Sequence, residues 1–202
     1  MLPVGHVAYT WGTVNLIQRR VPAWSRLDYR LLAIFSLLPD VIDKPLALTL
    51  LKDTHTSHGP AHMLLLHVLL AAVALYFWRA RAVPYLLAFN GHLLCDEMWY
   101  HSQTLLFPFL GWSLDPWRFM GSPEAMANAY WDVLHMPKIW AIEGLAMAIM
   151  VYFVRRYRLH RWSVFREFLT NGRLGPIETR IPPGGTAEHD FREKARDVIC
   201  GS

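Results

Sequence analysis

The chain has 202 residues, of which 53% are hydrophobic and 13% aromatic, and it carries a net charge of +4. Several apolar runs approach the roughly 20 residues that a helix needs to cross a bilayer, which argues against an ordinary soluble domain. The arginines flank these runs, as topology signals do, so no nucleic-acid partner is expected. Cys95 and Cys200 are too few and too far apart for a disulfide framework or a zinc finger.

Hydropathy and Pro/Gly punctuation predict an all-α, polytopic membrane bundle of five spans. The spans run from Leu2 to Ile17, Tyr29 to Leu51, His58 to Trp78, Val83 to Phe107 and Pro137 to Val154. The first is short enough to be a half-buried helix instead, and it lacks the features of a cleaved secretory signal. Residues 1–158 are thus expected to form the membrane domain, and residues 159–202 a polar cytoplasmic tail that is partly disordered.

Positive charge alternates between the predicted loops. One set of loops carries Arg19, Arg20, Arg26, Arg30, Arg79, Arg81, Arg155, Arg156, Arg158 and Arg161, and the other set only Lys52, Arg118 and Lys138. Because arginine and lysine accumulate on the cytoplasmic side, this alternation predicts an N-terminus outside the membrane and a cytoplasmic C-terminal tail.

Ionisable side chains recur within the predicted spans, where they are costly and usually functional. They are His6 in span one, Asp40 and Asp43 in span two, His55, His58 and His62 at the start of span three, His92, Asp96, Glu97 and His101 in span four, and Glu143 in span five. With the orientation set by the arginines, all of them fall between mid-membrane and the outer face. The sequence therefore predicts one polar pocket that opens outward.

Metal binding is the chemistry that this mixture favours, because imidazole and carboxylate are ligands of zinc and related ions. His92 and Asp96 are four residues apart, so both donors lie on one helical face. A divalent ion would also neutralise Asp40, Asp43 and Asp96, and a cluster of ions could activate water and clamp a phosphate oxygen. The alternative for His92 and Asp96 is a hydrogen-bonded pair in a metal-free core.

Several candidates have a second interpretation. Asp40 follows Pro39 and could cap a kinked helix, while His58 and His62 could be interfacial rings, although at least one is expected to ligate. His55 and His101 are undecided, and His67 is expected to pack. Glu143 is either a general base or the partner of an arginine.

Four segments, "GHVAYT", "LLPDVIDK", "HGPAHMLLLH" and "GHLLCDEM", resemble the YdjM-like family of bacterial inner-membrane metal-dependent hydrolases, once described as LexA-binding. The family pattern has Gly-His, Leu-Pro-Asp-x-Asp, Thr-His-Ser and His-x-x-x-Asp segments. The resemblance covers roughly residues 1–110 and implies metal ligands at His6, Asp40, Asp43, His58, His62, His92 and Asp96. These side chains are expected to project into the bundle from helices one to four. The family is in turn similar in ligand order to zinc-dependent phospholipase C and P1 nuclease, which implies phosphodiester hydrolysis.

Two departures from the family pattern leave ligands open. Two residues, not one, separate Asp40 from Asp43, and "THTSHGPAH" alters the Thr-His-Ser segment. The resulting hypothesis is a hydrolase of the bacterial inner membrane that binds one or two divalent ions, zinc being favoured, with Asp43 and Glu143 as catalytic residues. Its expected substrate is a phosphodiester or ester bond of a membrane lipid or headgroup at the outer leaflet. The alternative is a non-catalytic structural or regulatory membrane protein that a metal stabilises.

Overall fold

A computed structural model describes residues 1–54, 56–116 and 122–175, which contain eight α-helices and no strand. The helices are α1 (Pro3–Gln18), α2 (Tyr29–Leu48), α3 (Leu64–Trp78), α4 (Val83–Cys95), α5 (Ser102–Leu105), α6 (Pro123–Leu134), α7 (Pro137–Arg156) and α8 (Trp162–Asn171). The prediction of an all-α fold is confirmed for this part of the chain.

Two segments of the described chain are long and apolar enough to cross a membrane, Leu64–Arg81 and Pro137–Arg156. The bundle of five spans is therefore not confirmed. Helix α1 has only 16 residues and α4 only 13, while α2 carries charged side chains along its second half. Predicted span four is cut short at Glu97, whose φ of 54° is a left-handed conformation that an α-helix does not contain.

Predicted span three also begins later than expected, and this places two candidate ligands outside a helix. His58 lies in an irregular connection, His62 ends a short 3-10 turn, and α3 starts only at Leu64. Pro60 explains why the chain before it is not helical, because proline disfavours helical geometry at the residue that precedes it. The expectation that helices one to four supply all the ligands was thus wrong for His58 and His62.

Helices α1, α2 and α4 pack against one another, and α1 also packs against α7. At the end where α2 begins, aromatic rings form the core: Trp11 lies 5.6 Å from Tyr29 and 5.6 Å from Phe153, centroid to centroid. The Asn15 amide donates hydrogen bonds to the hydroxyls of Tyr29 (3.0 Å) and Tyr157 (2.7 Å). These contacts fix α1, α2 and α7 relative to one another.

The arginine-bearing loops meet at this same end. Arg19 donates to the Tyr152 hydroxyl of α7 at 3.0 Å, and Arg30 donates to the carbonyl of Thr170 in α8 at 3.1 Å. Helix α8 lies within the predicted tail, yet Phe168 packs 5.8 Å from Trp11. The tail beyond residue 175 lies outside the described residues.

Asp28 caps the start of α2. Its carboxylate accepts hydrogen bonds from the backbone N–H groups of Arg30 (2.9 Å) and Leu31 (3.4 Å), which have no partner within the helix. The Arg30 guanidinium beside it lowers the pKa of the Asp28 carboxyl, and burial opposes this effect. The Asp28 carboxylate is therefore ionised at neutral pH. It lies next to Gly172, the residue that follows α8, so α8 and the start of α2 meet at this cap.

Gly172 is expected to be essential for this junction. Its φ is +70°, its carbonyl accepts from the Tyr29 backbone N–H at 2.8 Å, and a Cβ there would lie 1.8 Å from Asp28 Oδ1. Gly172→Ala should therefore lower the free energy of unfolding by about 2 kcal/mol or more, through backbone strain and displacement of the cap.

Thermal unfolding in detergent measures this effect, with Gly175→Ala as the matched control, because no atom lies within 4 Å of a Cβ at Gly175. An equal melting temperature for the two variants would contradict the assigned role of Gly172.

Candidate metal centre

Buried histidines and aspartates converge at the end of the bundle opposite the aromatic core. Two groups each bring one nitrogen or oxygen atom per residue to within 4.8 Å of one another. The first group consists of His6, Asp40, His92 and Asp96, and the second of His58, His62 and Asp96. Six of the seven predicted metal ligands thus lie together, and Asp96 belongs to both groups.

Two imidazoles face each other at the centre of the site. His62 Nδ1 donates to Asp43 Oδ2 at 2.6 Å, and His92 Nδ1 donates to the carbonyl of Ser36 at 2.7 Å. In the tautomer that carries its proton on Nδ1 alone, each ring turns an unprotonated Nε2 inward, and the two Nε2 atoms are 3.1 Å apart. Asp96 Oδ2 lies 3.1 Å from Nε2 of His92 and 3.6 Å from that of His62. Lone pairs this close repel unless a proton or a metal ion lies among them.

Asp43 lies behind His62, outside both groups. Its carboxylate accepts from the backbone N–H groups of Gly59 (2.8 Å) and Ala61 (3.1 Å) as well as from the His62 ring. A Cβ at Gly59 would lie 3.1 Å from Asp43 Oδ1, so a larger residue there would have to displace the turn or Asp43 by a few tenths of an ångström. A carboxylate that holds the second nitrogen of a histidine in this way is typical of the outer shell of metal sites.

His6 gives the strongest local indication that the site binds a cation. Its ring is fully buried and stacks on His92 with centroids 4.1 Å apart. Neither ring nitrogen makes a hydrogen bond, although Nε2 lies 3.2 Å from Asp96 Oδ1. Since a buried polar atom without a partner is costly, and imidazole and carboxylate are zinc ligands, a divalent ion fits this donor set.

The two carboxylate oxygens of Asp40 face different groups, the histidines of the site and a lysine. Asp40 Oδ1 lies 3.8 Å from His92 Nε2 and 3.9 Å from His62 Nε2, while Oδ2 accepts from Lys44 Nζ at 2.5 Å. Among the described residues, Lys44 is thus one of two cations next to the donor groups, the other being the N-terminal ammonium of Met1, which donates to Asp96 Oδ1 at 2.8 Å. The i, i+4 spacing of Asp40 and Lys44 could have revealed this pair in the sequence.

The sequence profile of the YdjM inner membrane protein family matches residues 1–162. The chain belongs to the YdjM inner membrane protein family. The match extends through α7, beyond the 110 or so residues that the motifs cover, and contains every member of both donor groups. No curated protein and no solved structure matches the chain. The similarity to phospholipase C and P1 nuclease stays a prediction.

Three further candidate residues of this YdjM-family chain had no settled role in the sequence: His101, Glu143 and His55. The His101 ring is 5.4 Å from that of His58, and Glu143 Oε1 accepts from the Leu2 backbone N–H at 2.8 Å, which joins α7 to the start of α1. Neither belongs to the two groups found among the described residues. His55 lies outside the described residues.

His67 and Asn90 have a structural role that the sequence did not indicate. His67 was expected only to pack, and its ring does stack on Phe89. Its nitrogens, however, are hydrogen-bonded to Asn90 Oδ1 and to the carbonyl of Ala61, each at 2.9 Å. Because Ala61 precedes His62, this contact helps to position the turn that carries a candidate ligand. A backbone carbonyl has no sequence signature, so spacing alone could not have found it.

A cavity of 310 Å³ opens from the donor groups. Asp40, His58 and Asp96 line its inner part, and apolar side chains of α6 and α7, including Val133 and Ile139, line the rest. The exposed ion pair between Lys138 Nζ and the Glu97 carboxylate (2.5 and 2.7 Å) also borders it. The site is therefore accessible to a small amphiphilic molecule.

Proposed function

We propose that this chain is a membrane-embedded, metal-dependent hydrolase that cleaves a phosphodiester or ester bond of a lipid or its headgroup. The observation that carries the proposal is the pair of donor groups that share Asp96 and border one cavity with an apolar wall. Zinc is the favoured ion, because the donors are imidazole nitrogens and carboxylate oxygens. A shared carboxylate is compatible with one ion or with two adjacent ions.

The residues of the chain have separable tasks in this proposal. Asp43 and the Ser36 carbonyl hold the His62 and His92 rings with Nε2 directed at the site. A divalent ion, when bound, polarises a phosphoryl oxygen and lowers the pKa of a water molecule toward neutrality. Asp40 and Asp96 supply the negative charge that balances such an ion.

Asp43 and Glu143 were predicted as catalytic residues, and their surroundings support different assignments. Asp43 accepts three hydrogen bonds from the protein, so we assign it the positioning of His62. Glu143 is half-buried near the cavity residue Ile142 and retains one carboxylate oxygen, Oε2, besides the one that accepts from Leu2. Its role as a general base stays a prediction.

The proposed location of the site is the outer leaflet of the inner membrane. The donor groups lie at the end of the bundle opposite Arg19 and Arg30, and arginine-rich loops favour the cytoplasmic side. This supports the five-span topology with the N-terminus outside, in which α1, α2 and α4 cross together with the two long apolar segments. At this depth the cavity would meet lipid headgroups.

Zinc-dependent turnover of a phosphodiester tests the proposal. Protein stripped with a chelator and reloaded with zinc or manganese should hydrolyse bis(p-nitrophenyl) phosphate or phosphatidylglycerol in mixed micelles. His92→Ala should lower the rate at least about a hundredfold, since bound metal contributes several kcal/mol to such reactions. His135→Ala is the matched control, because His135 is exposed at the end of α6. Equal rates for metal-free and loaded protein would refute the proposal.

A structural role for the ion is the second candidate. An ion in the first group would join α1, α2 and α4, and an ion in the second would join the end of α4 to the connection before α3. In that case zinc raises the melting temperature of the wild type and not of His92→Ala, while no phosphodiester or ester is turned over.

A further inference from the structure

Lys44 occupies a position that the metal hypothesis does not explain. It lies on α2 one turn after Asp40, and its side chain is 25% exposed, toward the cavity that it lines. Its ammonium binds Asp40 Oδ2 and lies 5.4 Å from the centre of the Tyr130 ring of α6. A lysine ammonium has three N–H donors, and one carboxylate oxygen does not use all of them.

The cavity around Lys44 has two chemically different parts. Its polar part includes Asp40, His58 and Asp96, the Lys44 ammonium and the Met1 ammonium, which is paired with Asp96, whereas Val133, Ile139 and Ile142 form an apolar wall. A ligand that matches both parts has an anionic group next to an alkyl chain. A phosphodiester is an anion and a carboxylic ester is neutral, so an ammonium beside the metal ligands favours the phosphodiester.

We propose that Lys44 and the α6–α7 wall form a binding site for the phosphate group of an amphiphile, with phosphate on Lys44 and the alkyl chain against Val133. This inference rests on the proposed function, because it names the substrate class of that same site. It assigns specificity to Lys44, which would bind phosphate oxygens whether the phosphate belongs to a lipid headgroup or is free.

Binding of octyl phosphate to the zinc-loaded protein, measured by calorimetry in a neutral detergent, tests this inference. Lys44→Met should weaken binding roughly 10- to 100-fold, the range for a hydrogen bond to a charged group, and Lys44→Arg should retain most of it. Lys138→Met is the matched control: Lys138 lines the same cavity, but its ammonium is paired with both oxygens of Glu97. Zinc content is measured in each variant, so that loss of phosphate binding is not confused with loss of metal.

Three test compounds distinguish the contribution of the Lys44 ammonium from that of the apolar wall. Val133→Trp should weaken octyl phosphate and leave inorganic phosphate unchanged, because only the alkyl chain reaches the apolar wall. Octyltrimethylammonium, which has the same chain and the opposite charge, should not bind. Equal affinity of wild type and Lys44→Met for octyl phosphate would overturn the inference, as would equal loss in Lys44→Met and Lys138→Met.

The outcome of the binding experiment does not depend on whether the protein hydrolyses a phosphodiester. If octyl phosphate binds through Lys44 and no phosphodiester is hydrolysed, the inference stands as a binding site and the proposed function fails. If the loaded protein hydrolyses phosphodiesters and Lys44→Met changes neither octyl phosphate binding nor KM, the proposed function stands and the inference fails.

Discussion

Asp96→Asn is expected to lower the zinc content of the purified protein at stoichiometric metal, from two ions per chain to at most one if each donor group holds an ion. Asp96 is the residue common to both donor groups, and its two oxygens lie 3.2 Å or less from His6 Nε2 and His92 Nε2. An amide of the same size cannot supply the negative charge to either group, so affinity should fall roughly a hundredfold or more in both. Mass spectrometry of the metal content of purified protein measures the result.

Two variants that each affect one group are the controls for Asp96→Asn. His6→Ala should lose the first ion and keep the second, and His58→Ala should do the reverse, because each residue belongs to a single group. Glu97→Gln, next to Asp96 and paired with exposed Lys138, should keep both ions. Retention of two ions by Asp96→Asn would show that the groups do not share a carboxylate ligand.

Asp43→Asn is expected to weaken the second group while leaving its ligands in place. Whichever way the new amide turns, its NH₂ faces a donor that Asp43 accepts from, either the Ala61 N–H or the pair formed by Gly59 and His62. Zinc affinity should fall roughly 10- to 100-fold, as for other outer-shell carboxylates. The metal-free protein should lose about 1–3 kcal/mol of stability, because a buried N–H loses its acceptor.

Cobalt absorption separates this positioning role from direct ligation. At saturating cobalt, Asp43→Asn should show the wild-type spectrum if Asp43 acts through His62. A changed spectrum would instead make Asp43 a ligand, the other interpretation that the sequence permits. Asp53→Asn is the control for general effects of removing a carboxylate, since Asp53 is exposed in the neighbouring connection.

The sequence predicted helices well where hydropathy alone determines them. Helices α1 and α7 match their predicted spans to within two residues, because long apolar runs have no competing structure. The starts and ends that depend on single residues were missed: the residue before Pro60 is not helical, so His58 lies outside α3, and the left-handed Glu97 ends α4 early. Helix α8 was missed because the sequence around it is polar, and its place depends on Gly172, which has φ +70°.

The membership of the site was predictable and its internal roles were not. Histidine and aspartate at helical spacing identified six residues that the structure brings together. The spacing of Asp40 and Asp43 placed both on one face of α2, but it could not show which carboxylate faces the donors. The orientation of Asp43 depends on the backbone N–H groups of Gly59 and Ala61, which lie in the turn before α3 and donate to its carboxylate.

The attachment of α3 has a consequence for how this helix behaves in lipid. His67 is the one buried side chain of α3, and its ring is hydrogen-bonded to Asn90 Oδ1 and to the carbonyl of Ala61. Lipid tails compete with apolar helix packing and not with such bonds. Where α3 crosses a bilayer, most of its surface would therefore be solvated by lipid, so membrane thickness and lipid composition would set its tilt while the His67 hydrogen bonds near its start keep its register.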